Sequence, residues 1–519
     1  MTEFLDDWGL TLAIFLPLVG AAIMALIPKA EEQLHKIVAL LTTLAVAGVG
    51  VALVAEFDFD RANELQFVVD KSWIEVINSR YILGLDGISM PLLLLTMLVV
   101  PLCVIYSWNH FPEPHNPKAF LILILILQTG MVGTFLAQDL VLFFVFFEIV
   151  LLPMYFMIGV WGGEQRQYAS IKFFLYTLFG SALMLVSFLA LYFLADGTDT
   201  IAQAAHTFDM RALPEAAKAI GITAQLWIFG GMFLGFGIKV PMFPLHTWLP
   251  DAHTQAPTVG SVILAAVLLK LGTYGFVRIA IPILPEAAIE WAPFIGALAV
   301  IGIIYGALCC LAQTDMKRLI AFSSVAHMGF TMLGIATLTD FGINAAIFGM
   351  VAHGLITGML FFVSGSMKER YHTLEIKRLG GLLVSAPRMG WILGFASMAS
   401  LGLPGLAGFW GEFPVILSAY NPAEGLSAEL FRAYMVIAAI GTVFAAGYLL
   451  WLYQRTAFGT PKEEFADDSH IHDVEPPEWI AWAPMLVLIL VLGVYPNLVF
   501  KMTDPAVGVV SELIAAAGR

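Results

Sequence analysis

The chain has 519 residues, 60% of them hydrophobic and only 12% charged, against about 25% charged in an ordinary soluble domain. Apolar runs of about 18 residues or more recur from end to end, each long enough to cross a hydrocarbon core of about 30 Å as a helix, which excludes a soluble enzyme. The formal net charge of −14 comes mostly from acids between those runs, as in Glu56–Glu64 and Glu463–Glu478. These read as solvated loops before docking surfaces, and nothing is basic enough for nucleic acid.

In chain order, the N-terminus (Met1–Asp7) is acidic and lacks the basic stretch of a cleaved signal, so the first run is expected to be a retained span. Fourteen helical spans are expected near 8–27, 34–55, 86–107, 119–136, 140–161, 171–194, 224–249, 258–280, 291–313, 319–337, 344–366, 388–420, 432–453 and 479–500. The expected fold is therefore an all-α integral membrane protein. Cys103, Cys309 and Cys310 fall inside apolar runs with no Cys-x-x-Cys spacing. They read as small core residues, with no metal or iron–sulfur site on this chain.

Two spans carry helix breakers. Span 7 holds Pro241 and Pro244 directly after Lys239, and span 12 holds Pro404 within a glycine-rich stretch, 401–408. Proline removes a backbone donor and clashes with the preceding turn. In lipid the freed carbonyls need partners, so a broken helix must face protein or a wet cavity. Both breaks thus mark the interior of the bundle.

The breaks lie five spans apart, an odd number, so a duplicated five-helix unit would insert upside down. Spans 4–8 and 9–13 are expected to form an inverted repeat, the architecture that places transport sites at the midplane. The corresponding division is an N-terminal three-helix segment (1–118), a first repeat (119–280), a second (281–453) and a C-terminal loop with helix 14 (454–519). Lysine and arginine concentrate in the loops on one side, above all Lys368, Arg370, Lys377, Arg378 and Arg388. The excess assigns that side to the cytoplasm and both termini to the periplasm, or its equivalent.

Four charges are stranded within spans: Glu148, Lys239, Lys270 and Glu412. Glu148 lies nine residues past Asp139, about 13.5 Å along a helix and close to the bilayer centre. A charge there costs about 2.5–3.5 kcal/mol. A purely structural Glu148–Lys239 pair is the bland reading, and buried pairs are weak stabilisers. The functional reading uses the same physics. Burial lowers the pKa of a lysine and raises that of a glutamate, while a nearby opposite charge pulls each back, so a buried lysine with a movable partner is a proton carrier. His327 and His353, both mid-span, extend the series, since imidazole accepts and donates near neutral pH. His246 and His253, which follow the break in span 7, are secondary candidates.

These segments resemble the proton-conducting antiporter-like family shared by respiratory complex I and multisubunit sodium/proton antiporters. The resemblance rests on span 5, from Gln138 through Glu148 to Tyr155, and on the run from Gly237 to His253 (Gly-Ile-Lys-Val-Pro-Met-Phe-Pro-Leu-His-Thr-Trp-Leu-Pro-Asp-Ala-His). It covers spans 3 to 13. It implies that Glu148 and Lys239 are the family's ion pair and Lys270 its bridging lysine. His327 and His353 would belong to its central hydrophilic axis, and Glu412 would face the periplasmic exit.

Glutamate at 412 resembles the M-type branch, since the L- and N-type branches carry lysine there. The chain also ends soon after span 14, without the L-type's long lateral helix. The implied function is proton translocation driven by NADH–quinone redox chemistry on partner subunits, in an inner membrane. The implied partners are the L-type and N-type subunits, including the L-type lateral helix. Flavin and iron–sulfur clusters are expected on other subunits and no cofactor on this chain, which has no Gly-x-Gly-x-x-Gly after a strand. The alternatives are a subunit of a sodium/proton antiporter without redox partners, and a passive scaffold, against which the four midplane charges argue.

Overall fold

The computed structural model describes residues 2–195, 206–465 and 471–518. Among these, thirteen helices are long and apolar enough to cross a membrane. Spans 1 to 6 are Leu5–Leu26, Glu32–Glu56, Ser89–Tyr106, Pro117–Leu136, Leu140–Trp161 and Arg166–Leu194. Span 7 begins with Ile222–Lys239, and spans 8 to 11 are Thr258–Ile283, Pro285–Ala312, Met316–Ala336 and Asp340–Tyr371. Spans 13 and 14 are Ala428–Ala457 and Pro476–Val494. Span 12 completes the set as two short helices, Pro387–Ser400 and Ala407–Ser418.

Both breaks have local causes. In span 12, Pro404 lacks an N–H, and Gly402 and Gly405 adopt φ of +81° and +93°, a region that costs glycine little and other residues much. In span 7 the chain turns through Pro241 and Pro244 and resumes as Trp248–Gln255. The carbonyls released there are recaptured. The Trp248 indole N–H donates to Ile238 O at 2.9 Å, and the Met242 N–H to Gly237 O at 2.9 Å. That is what the absence of water in a bilayer demands.

Spans 8, 10 and 11 form the core. Their most apolar stretches are 94%, 100% and 100% buried, against 28% for span 2 and 33% for span 13. Thr258, Gly365 and their neighbours meet at contact distance, so this core has little room for repacking.

Four features differ from the sequence reading. The loop 56–85 contains an antiparallel hairpin, β1 (Gln66–Ile74) and β2 (Ser79–Leu85), turned at Asn78 with φ +50°. Its β-branched and aromatic residues lie outside the apolar runs, so a search for helical spans passes over it. Second, span 7 does not stop near 249: its second half carries His253 on a helix, not in a loop. Third, span 8 is not a uniform α-helix, because Leu264–Leu268 and Phe276–Ala280 are wound as π-helix.

Fourth, the predicted span 479–500 ends at Val494, before Pro496, and Asn497–Ala517 forms a separate helix. That helix buries Val499, Ala506, Val507, Val510 and Ile514 and exposes Lys501, Asp504 and Glu512, the pattern of a helix lying along a surface. Lys501 sits 5.9 Å from the Phe59 ring centroid, and Leu5–Gly9 packs on β1. Both chain ends and the hairpin therefore share one face.

At the opposite face Arg370 is clamped in the bundle. Its guanidinium holds Glu478 through two parallel bonds of 2.9 and 2.8 Å, and donates to the carbonyls of His472 and Asp473. Both side chains are buried. Removing one partner of such a pair leaves a bare buried charge, at a cost of about 3–5 kcal/mol. Glu478→Gln is expected to lower the thermal midpoint of the assembled protein and its level in membranes. The double change Arg370→Met with Glu478→Leu should recover much of that loss.

Candidate functional site

Glu148 and Lys239 face each other across spans 5 and 7 without touching. No direct ion pair joins them. The Lys239 ammonium rests 4.8 Å from the Phe147 ring centroid, and the Glu148 carboxylate is in reach of the Ser181 hydroxyl. Lys239 is buried, whereas Glu148 is only half-buried. The pair is thus drawn apart around a phenyl face, a geometry in which a rotamer change on the freer partner opens or closes the contact.

Deeper in the bundle the predicted residues meet. Lys270 is fully buried on span 8. Its ammonium donates to Ala265 O at 2.5 Å and to His353 Nδ1 of span 11 at 2.6 Å. The π segment Leu264–Leu268 explains the first contact. Widening the turn releases Ala265 O from the α-helical ladder, and the side chain five residues on takes its place.

His353 and His327 lie with ring centroids 5.8 Å apart. A cavity of about 20 Å³, lined by His327, His353, Thr331, Ser400 and Glu412, lies beside them. It has room for one water with several polar partners. His327 Nδ1 donates to Glu412 Oε1 at 2.5 Å, and its Nε2 accepts from the Ser400 hydroxyl at 3.0 Å. Tyr448 approaches the same nitrogen at 3.4 Å. Glu412 also lines a second cavity, between Phe409, Phe413 and span 13 at the break of span 12. One carboxylate therefore touches both the interior line and a lateral groove between spans 12 and 13.

Lys270–His353 and His327–Glu412 accordingly form one series of two hydrogen-bonded pairs, separated by the 5.8 Å gap between the two imidazole centroids. Lys239 is not joined to it by any hydrogen bond or ion pair among the described residues. Phe147, Phe236 and Phe276 pack ring to ring from span 5 to span 8, with centroids 6.3 and 5.6 Å apart. The secondary candidates differ from each other. His246 is enclosed by Phe243, Tyr305 and Phe322, which suits a packed core residue. His253 stacks on Phe361 at 4.5 Å, with both ring nitrogens unpartnered.

Two residues escaped the sequence reading. Tyr448, on span 13, carries no signal to separate it from other aromatic residues of an apolar helix. Lys317 counted only as a loop charge, yet it is buried and donates to Ala256 O, at the end of the second half of span 7, at 2.5 Å. It stands in the first turn of span 10, two residues after the Asp315 cap. A cation there opposes the helix dipole, and that anomaly was the available clue.

Comparison with known proteins agrees with this architecture. Residues 137–438 match the family profile described as NADH:quinone oxidoreductase/Mrp antiporter, and residues 64–134 match the amino terminus of NADH-ubiquinone oxidoreductase chain 4. The chain is 42% identical to NADH-quinone oxidoreductase subunit M of Rhodobacter capsulatus, over 96% of this chain and 95% of that protein. It is 39% identical to an NAD(P)H-quinone oxidoreductase chain 4 of Trichormus variabilis, over 95% and 90%. Among solved structures it superposes on a chain of respiratory complex I from Thermus thermophilus with a TM-score of 0.84 and 29% identity, covering 97% of this chain and 99% of that one. A chain of the Mrp complex from Dietzia shares the fold, with a TM-score of 0.81 and 21% identity over 97% and 52%.

Proposed function

The chain belongs to the NADH:quinone oxidoreductase/Mrp antiporter family, and from that premise we propose that it is the M-type proton-translocating membrane subunit of an NADH:quinone oxidoreductase. The observation that carries the reading is the line Lys270–His353–His327–Glu412, two hydrogen-bonded pairs beside one water-sized cavity, which ends on a carboxylate. NADH, flavin and quinone chemistry belongs to partner subunits. This chain's part is to hold and pass protons.

The contacts define the steps. The Lys270 ammonium already points a proton at His353 Nδ1. From His353 the proton needs one bridging water to reach His327, since 5.8 Å between centroids is too far for direct transfer. His327, with Nδ1 toward Glu412 and Nε2 toward Ser400, can take a proton on one nitrogen while releasing one from the other. Glu412 then hands it to the cavity at the break of span 12. Glu148 and Lys239 form the switch at the other end. In this reading spans 4–8 and 9–13 are the two inverted halves, within segments 1–118, 119–280, 281–453 and 454–519. Both termini face the periplasm, and the neighbours are the L-type and N-type subunits with the L-type lateral helix.

Titration at Glu412 is the direct test. Glu412→Asp is expected to keep much of the pumping, because the acid survives, while Glu412→Gln should lose most of it. The measurement is proton uptake by vesicles driven by NADH oxidation. Equal activity of the two variants would reduce Glu412 to packing. Co-purification with flavin and iron–sulfur subunits separates this function from that of an antiporter without redox partners.

A further inference from the structure

From Lys270 the line turns sideways into span 11, although a polar column also runs straight along span 8. Tyr274 stands one turn beyond Lys270, and Arg278 a further turn on, in the π segment Phe276–Ala280. Arg278 lies eight residues past Lys270, about 12 Å along the helix axis. It donates to the Asp86 carboxylate through Nη2, to the Ser89 hydroxyl at 3.2 Å and, through Nε, to the Tyr274 hydroxyl at 3.1 Å. Asp86 directly follows β2 and caps span 3, accepting the Ile88 and Ser89 N–H groups at 3.1 Å each. The column therefore ends on the face that carries both chain ends. Tyr274 and Ser89 are fully buried within it, and only the Arg278 side chain, 13% exposed, nears the surface. No side-chain hydrogen bond among the described residues joins the Lys270 ammonium to this cluster.

A chain of groups passes protons only if each member accepts on one side and donates on the other. The Tyr274 hydroxyl does neither. Its one proton goes to Phe135 O at 2.9 Å, a carbonyl with nothing to pass on. Its oxygen therefore accepts from the Ser89 hydroxyl, at 3.0 Å, as well as from Arg278. Both lone pairs of the group nearest Lys270 are thus filled. Behind it the guanidinium keeps its charge throughout the accessible pH range, and a fixed arginine is a barrier to protons in a narrow path. As a mere tie between spans 3 and 8 the buried pair would be a weak stabiliser. We propose that Arg278, held by Asp86, Ser89 and Tyr274, is the barrier that stops protons on Lys270 from escaping along span 8 and so directs them to His353. The inference rests on the relay reading of Lys270 and gives the cluster itself no part in carrying protons.

The test is the passive proton permeability of vesicles carrying the assembled complex, read as the decay of the pH gradient once NADH is exhausted. Arg278→His replaces a group that holds its proton with one that binds and releases it. The gradient should then decay several-fold faster than in wild type, and a protonophore should no longer speed up NADH oxidation. Adding Lys270→Ala should restore the wild-type decay, because the leak runs through that amine. Arg278→Lys keeps a cation beside Asp86 and should stay tight, as should Asp86→Asn, with pumping near the wild-type level. Arg278→Gln combined with Asp86→Asn leaves no bare charge and should also leak, which preserves the test if the histidine variant fails to assemble. A wild-type decay in whichever of these two variants assembles overturns the proposal, and so does a leak that persists without Lys270. Lost pumping in tight Asp86→Asn vesicles would overturn it too, by making the cluster an exit. Failure of the relay reading shows separately, as normal pumping by Lys270→Arg.

Discussion

Lys270→Arg is expected to assemble normally and to lose proton pumping by roughly tenfold or more, although it keeps the positive charge. The argument rests on what each cation can give up. Lysine releases its proton when burial and a basic neighbour favour it, whereas arginine keeps its proton throughout the accessible range. Here the neighbour is the His353 imidazole, 2.6 Å from the ammonium, with Nδ1 as acceptor. An arginine would donate to that nitrogen permanently and block the line. The guanidinium is also larger than the ammonium in a site with no exposure, and overpacking costs about 1–3 kcal/mol, so the thermal midpoint must be measured alongside. Lys270→Ala removes the bulk and the charge and should pump no better. NADH-driven uptake in vesicles reads both variants. Wild-type pumping by the arginine variant would show that a fixed charge suffices and end the relay role of Lys270.

The second large effect is expected at the separated pair. Glu148→Gln and Lys239→Ala should each abolish pumping and strongly lower quinone-coupled NADH oxidation while the complex still forms. Each charge biases the other's protonation, and Lys239 rests on the Phe147 ring with no ion pair to Glu148, the arrangement the proposed switch would call open. Losing either partner removes the difference between open and closed states, so nothing remains to trigger proton movement. Glu148→Gln is nearly isosteric and sits on a half-buried position, so its effect on folding should be small. Normal pumping by either assembled variant would refute the pairing.

Much of this was legible in the sequence because membranes punish polar groups so heavily. Glu148, Lys239, Lys270 and Glu412 stood out as charges in apolar runs, and the two breaks stood out through proline and glycine. Less visible was anything that depends on which faces meet. The join of Lys270 to His353 requires spans 8 and 11 to pack together, and no local pattern encodes that. The π segment of span 8 has no breaker residue to announce it. The ring-to-ring packing of Phe147, Phe236 and Phe276 uses residues that suit any apolar helix. The hairpin and the C-terminal helix were missed because they lie outside the hydrophobic runs that organised the reading, and Pro496 was the one sign that the last span ended early.

The full burial of spans 10 and 11 has a kinetic consequence. Side chains in so tight an interior cannot swing far, so a proton passing from Lys270 to His353 must do so by reversing the polarity of a bond whose heavy atoms stay in place. The amine that remains still has two hydrogens, one for Ala265 O, and its lone pair now accepts from the imidazole. Nothing there needs to be rebuilt between turnovers. Movement, with its friction and its steep temperature dependence, is left to the rim, where the Glu148 carboxylate stands half clear of the bundle. In the proposed relay, the slow step is therefore expected at that edge and not at the Lys270–His353 bond.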